Sequence, residues 1–176
     1  TMVYHILKKN GFKPALISTV SAKIGDRDID TGFHTTTPTS QELYKLIKKI
    51  EEEKCTHVII ESTSHGLHQG RLAGLKFDIV GYTNITNEHL DYHKTWRRYV
   101  DAKSLLIREH LKDSGMVILN RDDKAYSILK KYTKNHKDYS IKRKLIFMQI
   151  ISLIKTMSLI SLFTIIQKNI KLNFLY

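Results

Sequence analysis

The chain has 176 residues, 41% of them apolar, enough for one domain with a buried core. Its single cysteine, Cys55, excludes an internal disulfide and every multi-cysteine zinc pattern, and makes a reducing, cytoplasmic setting the default. The net charge of +12 points less to nucleic acid than it first suggests, because seven Lys or Arg against one Asp fall from Lys137 onward and the remaining basic residues form no basic-aromatic stripe.

In chain order, "TMVYHILKKNGFK" reads as the end of a helix, with Val3, Ile6 and Leu7 on one face and Gly11 just past the C-terminus. "PALISTV", Pro14 to Val20, is a buried strand, followed by a polar stretch ending in "HTTTPTS". Pro38 and Ser40 then open a helix in which Leu43, Leu46, Ile47 and Ile50 repeat at helical spacing. Three β-rich runs come next, "HVIIE" (His57 to Glu61), "DIVGYTN" (Asp78 to Asn84) and "GMVILN" (Gly115 to Asn120), with a helix beginning near Thr95 between the last two. The alternation predicts β-α-β units and a mostly parallel sheet, in which ligands collect beyond the carboxyl ends of the strands. Those ends carry Glu61, Asn84 and Asn120, and each opens a polar cluster: "ESTSHGLHQGR", "NITNEHLDYH" and "NRDD".

Each cluster has a chemical and a plain reading. Glu61 ends an apolar run, where its carboxylate either meets a cation or caps the next turn. His89 and His93, four apart with Asp91 between them, suit a metal by spacing, and oxygen-rich neighbours (Glu61, Glu88, Asp91) favour a hard ion such as Mg²⁺ over zinc. Gln69 and Arg71, with Thr63 and Ser64, supply donors for an anionic substrate or make an ordinary polar loop. Thr35, Thr36 and Thr37 before Pro38 bind phosphate or carboxylate oxygens, or cap the helix. A lysine placed as Lys103 is, on its helix, most often solvent-exposed.

Taken together, "TTP", "ESTSHGLHQGR", "TNITNEHLDYH", "DAKSLL" and "MVILNRDD", in this order and spacing, resemble the central domain of the Mur ligases, in the tripeptide-synthetase branch. The resemblance runs from Thr1 to about Lys134. It implies an α/β fold, a three-layer sandwich with a mostly parallel sheet of the P-loop NTPase-like kind, here incomplete. It implies an ATP-dependent, magnesium-requiring ligase of peptidoglycan synthesis that adds meso-diaminopimelate or L-lysine to UDP-N-acetylmuramoyl-L-alanyl-D-glutamate through an acyl phosphate. Glu61 and His89 match the family's magnesium ligands, and Lys103 matches a lysine that is carbamylated, so that a cation becomes a carboxylate able to approach a second metal. Thr36, Thr37, Thr63, Gln69 and Arg71 match the side that holds the UDP-muramoyl dipeptide, with Thr35 a weaker match. Asn120 is a candidate on the nucleotide side. The family usually has Ser at the place of Thr63, which keeps a hydroxyl, and Asp at the place of Glu88, which keeps the charge.

The resemblance places the family's Gly-Lys-Thr phosphate loop just before Thr1 and further ligase domains beyond the last residues, so a fragment unable to turn over alone is the expectation. On this reading residues 1–136 form the partial central domain and 137–176 an aberrant basic and apolar tail. "KRKLIFMQIISLIKTMSLISLFTIIQKNIKLNFLY" lacks Gly, Pro and acidic residues, and Leu145 to Ile166 is long enough to span a bilayer with only Lys155 charged. Frame-shifted, non-native sequence is favoured over an anchor, because an interior lysine opposes insertion. A cytoplasmic monomer without stable membrane association is therefore expected. The competing readings are another Mur or folylpolyglutamate ligase, a catalytically silent binding domain, and a metal hydrolase using Glu61, His89 and His93. Nucleotide binding separates them.

Overall fold

The computed structural model describes residues 2–19, 21–25, 27–30 and 37–140. Helix α1 (Met2–Lys9) buries Val3, Tyr4 and Leu7, with Ile6 half-buried on the same side. It stops before Gly11, whose φ of 81° is open to a residue without a Cβ. Strand β1 (Pro14–Ile17) is buried throughout. It pairs in parallel with β4 (His57–Ile60) and antiparallel with β2 (Ser21–Ile24), and β2 pairs antiparallel with β3 (Arg27–Asp30), giving the order β3-β2-β1-β4.

Strands β2 and β3 lie where the sequence suggested only a polar stretch. In β2 the alternation is short, with Ala22 and Ile24 inward and Ser21 and Lys23 half-exposed, so the charged partners hide the period. Helix α2 (Ser40–Glu52) matches expectation closely: Leu43, Leu46, Ile47 and Ile50 are its buried residues. Thr39 caps it in a capping box with Glu42.

The second sheet is wholly parallel, β5 (Phe77–Gly81) against β6 (Leu111–Asn120) and β6 against β7 (His136–Tyr139). Strand β6 begins at Leu111, four residues before the predicted start, with a register shift opposite Phe77 to Ile79. The expected division after residue 136 falls inside β7, which pairs with Val117 to Asn120 in unbroken register. The remainder of the tail expected to be aberrant, with the span Leu145 to Ile166, lies outside the described residues. Among the described residues no helix is long and apolar enough to cross a membrane.

One core unites both sheets. Ala15 and Ile17 of β1, Val58 and Ile60 of β4, Phe77 and Val80 of β5, and Val117 and Leu119 of β6 share it with α2 and with helix α5 (Trp96–Arg108). The alternate residues Leu16 and Ile59 turn to the opposite face and pack on α1. Strands covered on both faces make the fold a three-layer α/β domain with a mostly parallel sheet, as expected. Three short helices, α3 (Ser64–His68), α4 (Leu90–His93) and α6 (Tyr126–Leu129), and a 3-10 turn at Lys130–Tyr132 complete the described part.

Candidate active site

The site is built on the segments just beyond β4 and β5. Strand β4 ends at Ile60, so Glu61 lies one residue past the buried run and its side chain is exposed. Solvent therefore removes the desolvation cost expected for a carboxylate in an apolar strand. The backbone N–H of Glu61 still donates to the Ile17 carbonyl (2.9 Å), and its Oε2 accepts from the Thr19 N–H and hydroxyl at 3.4 and 3.3 Å. Glu61 is thus oriented by β1 while its carboxylate faces water.

Lys103 is not the exposed lysine that its helix alone would suggest. It sits mid-helix in α5, and its Nζ donates to the Ser62 carbonyl at 3.3 Å and lies 5.9 Å from the Tyr99 ring centre. Burial pushes its pKa below the ordinary lysine value, against the opposing pull of Glu88 and Glu61. The amine is therefore held one residue from Glu61 and one from Thr63, with its neutral form favoured by the surroundings.

Around Thr63 the anion-side candidates knit together. Thr63 caps α3 by accepting from the Gly66 N–H (3.0 Å), and its own N–H donates to Oγ1 of the fully buried Thr37 (3.0 Å). The two threonine hydroxyls are 3.0 Å apart. Arg71 Nη1 donates to the Thr37 carbonyl at 2.6 Å and its Nε to Gln69 Oε1 at 2.9 Å. Thr37, Thr63, Gln69 and Arg71 are thereby brought together. Thr35 and Thr36 lie outside the described residues.

His89 stands at the start of α4 in the left-handed region, φ 56°, with its side chain exposed and making no cap hydrogen bond. Its ring meets His65 edge-on at 4.8 Å. His93 faces the same group from inside: its ring is 5.5 Å from His65, 5.9 Å from His68 and 5.4 Å from Tyr99, and its Nε2 is buried without a hydrogen-bond partner. Burial, reinforced by His65, His68 and His89, pushes its pKa down. Spacing alone pairs His89 with His93 and misses His65, His68 and Tyr99. The signal for two of these was "SHGLH", a segment whose donors suit an anion and whose histidines carry no metal-like spacing to His89.

Among the described residues no group of three or more His, Cys, Asp and Glu is arranged to hold a metal ion. Glu61 and His89 are both exposed side chains on segments that follow strand ends. Asn120 is committed elsewhere: its Nδ2 donates to the Thr83 carbonyl (2.8 Å) and Asn84 Oδ1 (3.2 Å), and its Oδ1 accepts from the Asp122 N–H (2.9 Å). It clamps the loop after β5 to the end of β6.

Comparison with known proteins converges on one family. A match to the family described as Mur ligase middle domain covers residues 1–175. The UDP-N-acetylmuramoyl-L-alanyl-D-glutamate–2,6-diaminopimelate ligase of Bacillus velezensis is 43% identical over 141 residues, 77% of this chain and 28% of that protein. The protein of the same name from Clostridium botulinum is 36% identical over 143 residues, covering 81% and 28%. A solved structure of a ligase so named superposes with a TM-score of 0.71 at 24% identity, over 82% of this chain and 30% of that one, a likeness of fold. The chain spans less than a third of the length of the curated relatives it matches. With its three-layer fold, its strand-end site and this match in hand, the chain belongs to the Mur ligase family, through its middle domain.

Proposed function

We propose that this domain serves an ATP-dependent ligase that joins a diamino acid, meso-diaminopimelate or L-lysine, to UDP-N-acetylmuramoyl-L-alanyl-D-glutamate. The observation that carries the proposal is Lys103: its buried amine rests on the Ser62 carbonyl, between the exposed carboxylate of Glu61 and the Thr63–Thr37–Arg71 knot. The names of the curated relatives support the same chemistry.

In this proposal the terminal D-glutamate carboxylate takes the γ-phosphoryl group of ATP and ADP leaves. The amino group of the diamino acid then attacks the acyl carbon and phosphate departs. Arg71, Gln69, Thr37, Thr63 and Thr36 hold the anionic dipeptide and keep its carboxylate at the strand ends. The Lys103 ammonium first loses a proton; the neutral amine then forms an N–C bond to carbon dioxide and releases a second proton, leaving a carbamate anion. Burial, which disfavours the ammonium, eases only the first of these losses, since the carbamate is again a charge. Glu61 and His89, with the carbamate of Lys103, would hold magnesium, which neutralises phosphate charge during phosphoryl transfer. Asn120 serves the nucleotide side of this proposal only indirectly, by holding the loop after β5 to the end of β6. The same proposal places the reaction in the cytoplasm, with a single chain as the working unit.

The test is Arg71→Ala in a full-length ligase carrying these residues. KM for the muramoyl dipeptide should rise at least tenfold, the loss of a charge-assisted contact of about 1.5–3 kcal/mol, while KM for ATP stays within twofold, on the order of experimental scatter. Unchanged dipeptide kinetics would remove the assignment.

A further inference from the structure

Tyr92 stands between the two halves of the site. It lies on α4, three residues after His89, exposed and with its contacts turned to α3. Its hydroxyl meets His68 Nδ1 at 2.9 Å, and Gln69 Nε2 donates to it at 3.5 Å, the long end of hydrogen-bonding distance. Its ring lies 4.1 Å from that of His65 and 4.7 Å, edge-on, from that of His93. His65 in turn carries the edge-on contact to His89.

The Gln69 amide is the point of leverage. Its Nε2 donates to the Tyr92 hydroxyl and its Oε1 accepts from Arg71 Nε, so the donor-only guanidinium sets which end of the amide it faces and Tyr92 holds the other end. Tyr92 and Arg71 thus hold Gln69 from its two ends, and the same guanidinium reaches the Thr37 carbonyl. We propose that Tyr92 is a positioning residue: its hydroxyl fixes the Gln69–Arg71 pair toward the anionic dipeptide, and its ring, through His65, seats His89. The inference rests on the function proposed above and assigns that site a member on α4.

Tyr92→Phe in a full-length ligase carrying these residues removes the hydroxyl and keeps the ring contacts. The expected result is a dipeptide KM raised about three- to tenfold, the size of one lost hydrogen bond, with kcat, the KM for ATP and the thermal midpoint unchanged. An unchanged dipeptide KM, or a joint fall of kcat and thermal midpoint, overturns the hydroxyl's role. Tyr92→Leu removes the ring as well and should raise the magnesium concentration needed for half-maximal rate; an unaltered magnesium dependence overturns the His89 half. Arg71→Ala, measured in parallel, keeps the failures apart. If it raises the dipeptide KM and Tyr92→Phe does not, the Tyr92 inference alone falls. If neither does, the substrate-side proposal falls with it.

Discussion

Lys103 shows how a residue type that looks wrong for a site is made right by its surroundings. A solvated ammonium near Glu61 would simply pair with it, whereas a buried amine resting on a carbonyl is shifted toward its neutral, nucleophilic form. Gly66 works through space alone. A Cβ there would stand 2.7 Å from that of Thr37, which is fully buried and takes the Thr63 N–H. Gly66→Ala should push Thr37 away, lower the stability of the chain by about 1–3 kcal/mol in a denaturant titration, and loosen the dipeptide side. A variant as stable as the parent would show that the first turn of α3 yields freely.

Helices α3 and α4 have five and four residues, too few to hold themselves, so packing on α5 and the ring cluster must hold them. That cluster makes the fold sensitive to acid. Burial lowers the pKa of His65 and His93 here, and of His57 and His110 elsewhere, so each is favoured neutral in the folded chain. A depressed folded pKa contributes stability above the unfolded value of about 6.5. That stability is lost as pH falls below this point toward the folded pKa values. The thermal midpoint should therefore drop between pH 7.5 and 5, and a flat profile would contradict the burial of these imidazoles. The same shortness explains what the sequence hid. Helix α2 announced itself through Leu43, Leu46, Ile47 and Ile50, whereas four or five residues carry no period, and α3 and α4 were visible only as polar motifs.

At the scale of the molecule, β1 and β4 were legible as apolar runs because both faces are covered, and β5 and the second half of β6 through their buried residues, while the polar start of β6 was not. Strands β2, β3 and β7 were not, since Lys23, Asp28 and Asp138 break up runs of four residues. The convergence of Glu61, Thr63 and Lys103 came from strand-end logic and from motif resemblance, while the bridge from α3 to α4 through His65, His68 and Tyr92 needed coordinates. In the proposed function these strand ends form a ligase site organised around Lys103. Its most direct test is the amide-forming rate of Lys103→Ala in a full-length ligase carrying these residues, with and without added formate or acetate. Ligation should be lost, with partial return when a small carboxylate occupies the space of the missing carbamate. Full activity without the added acid would contradict the proposal.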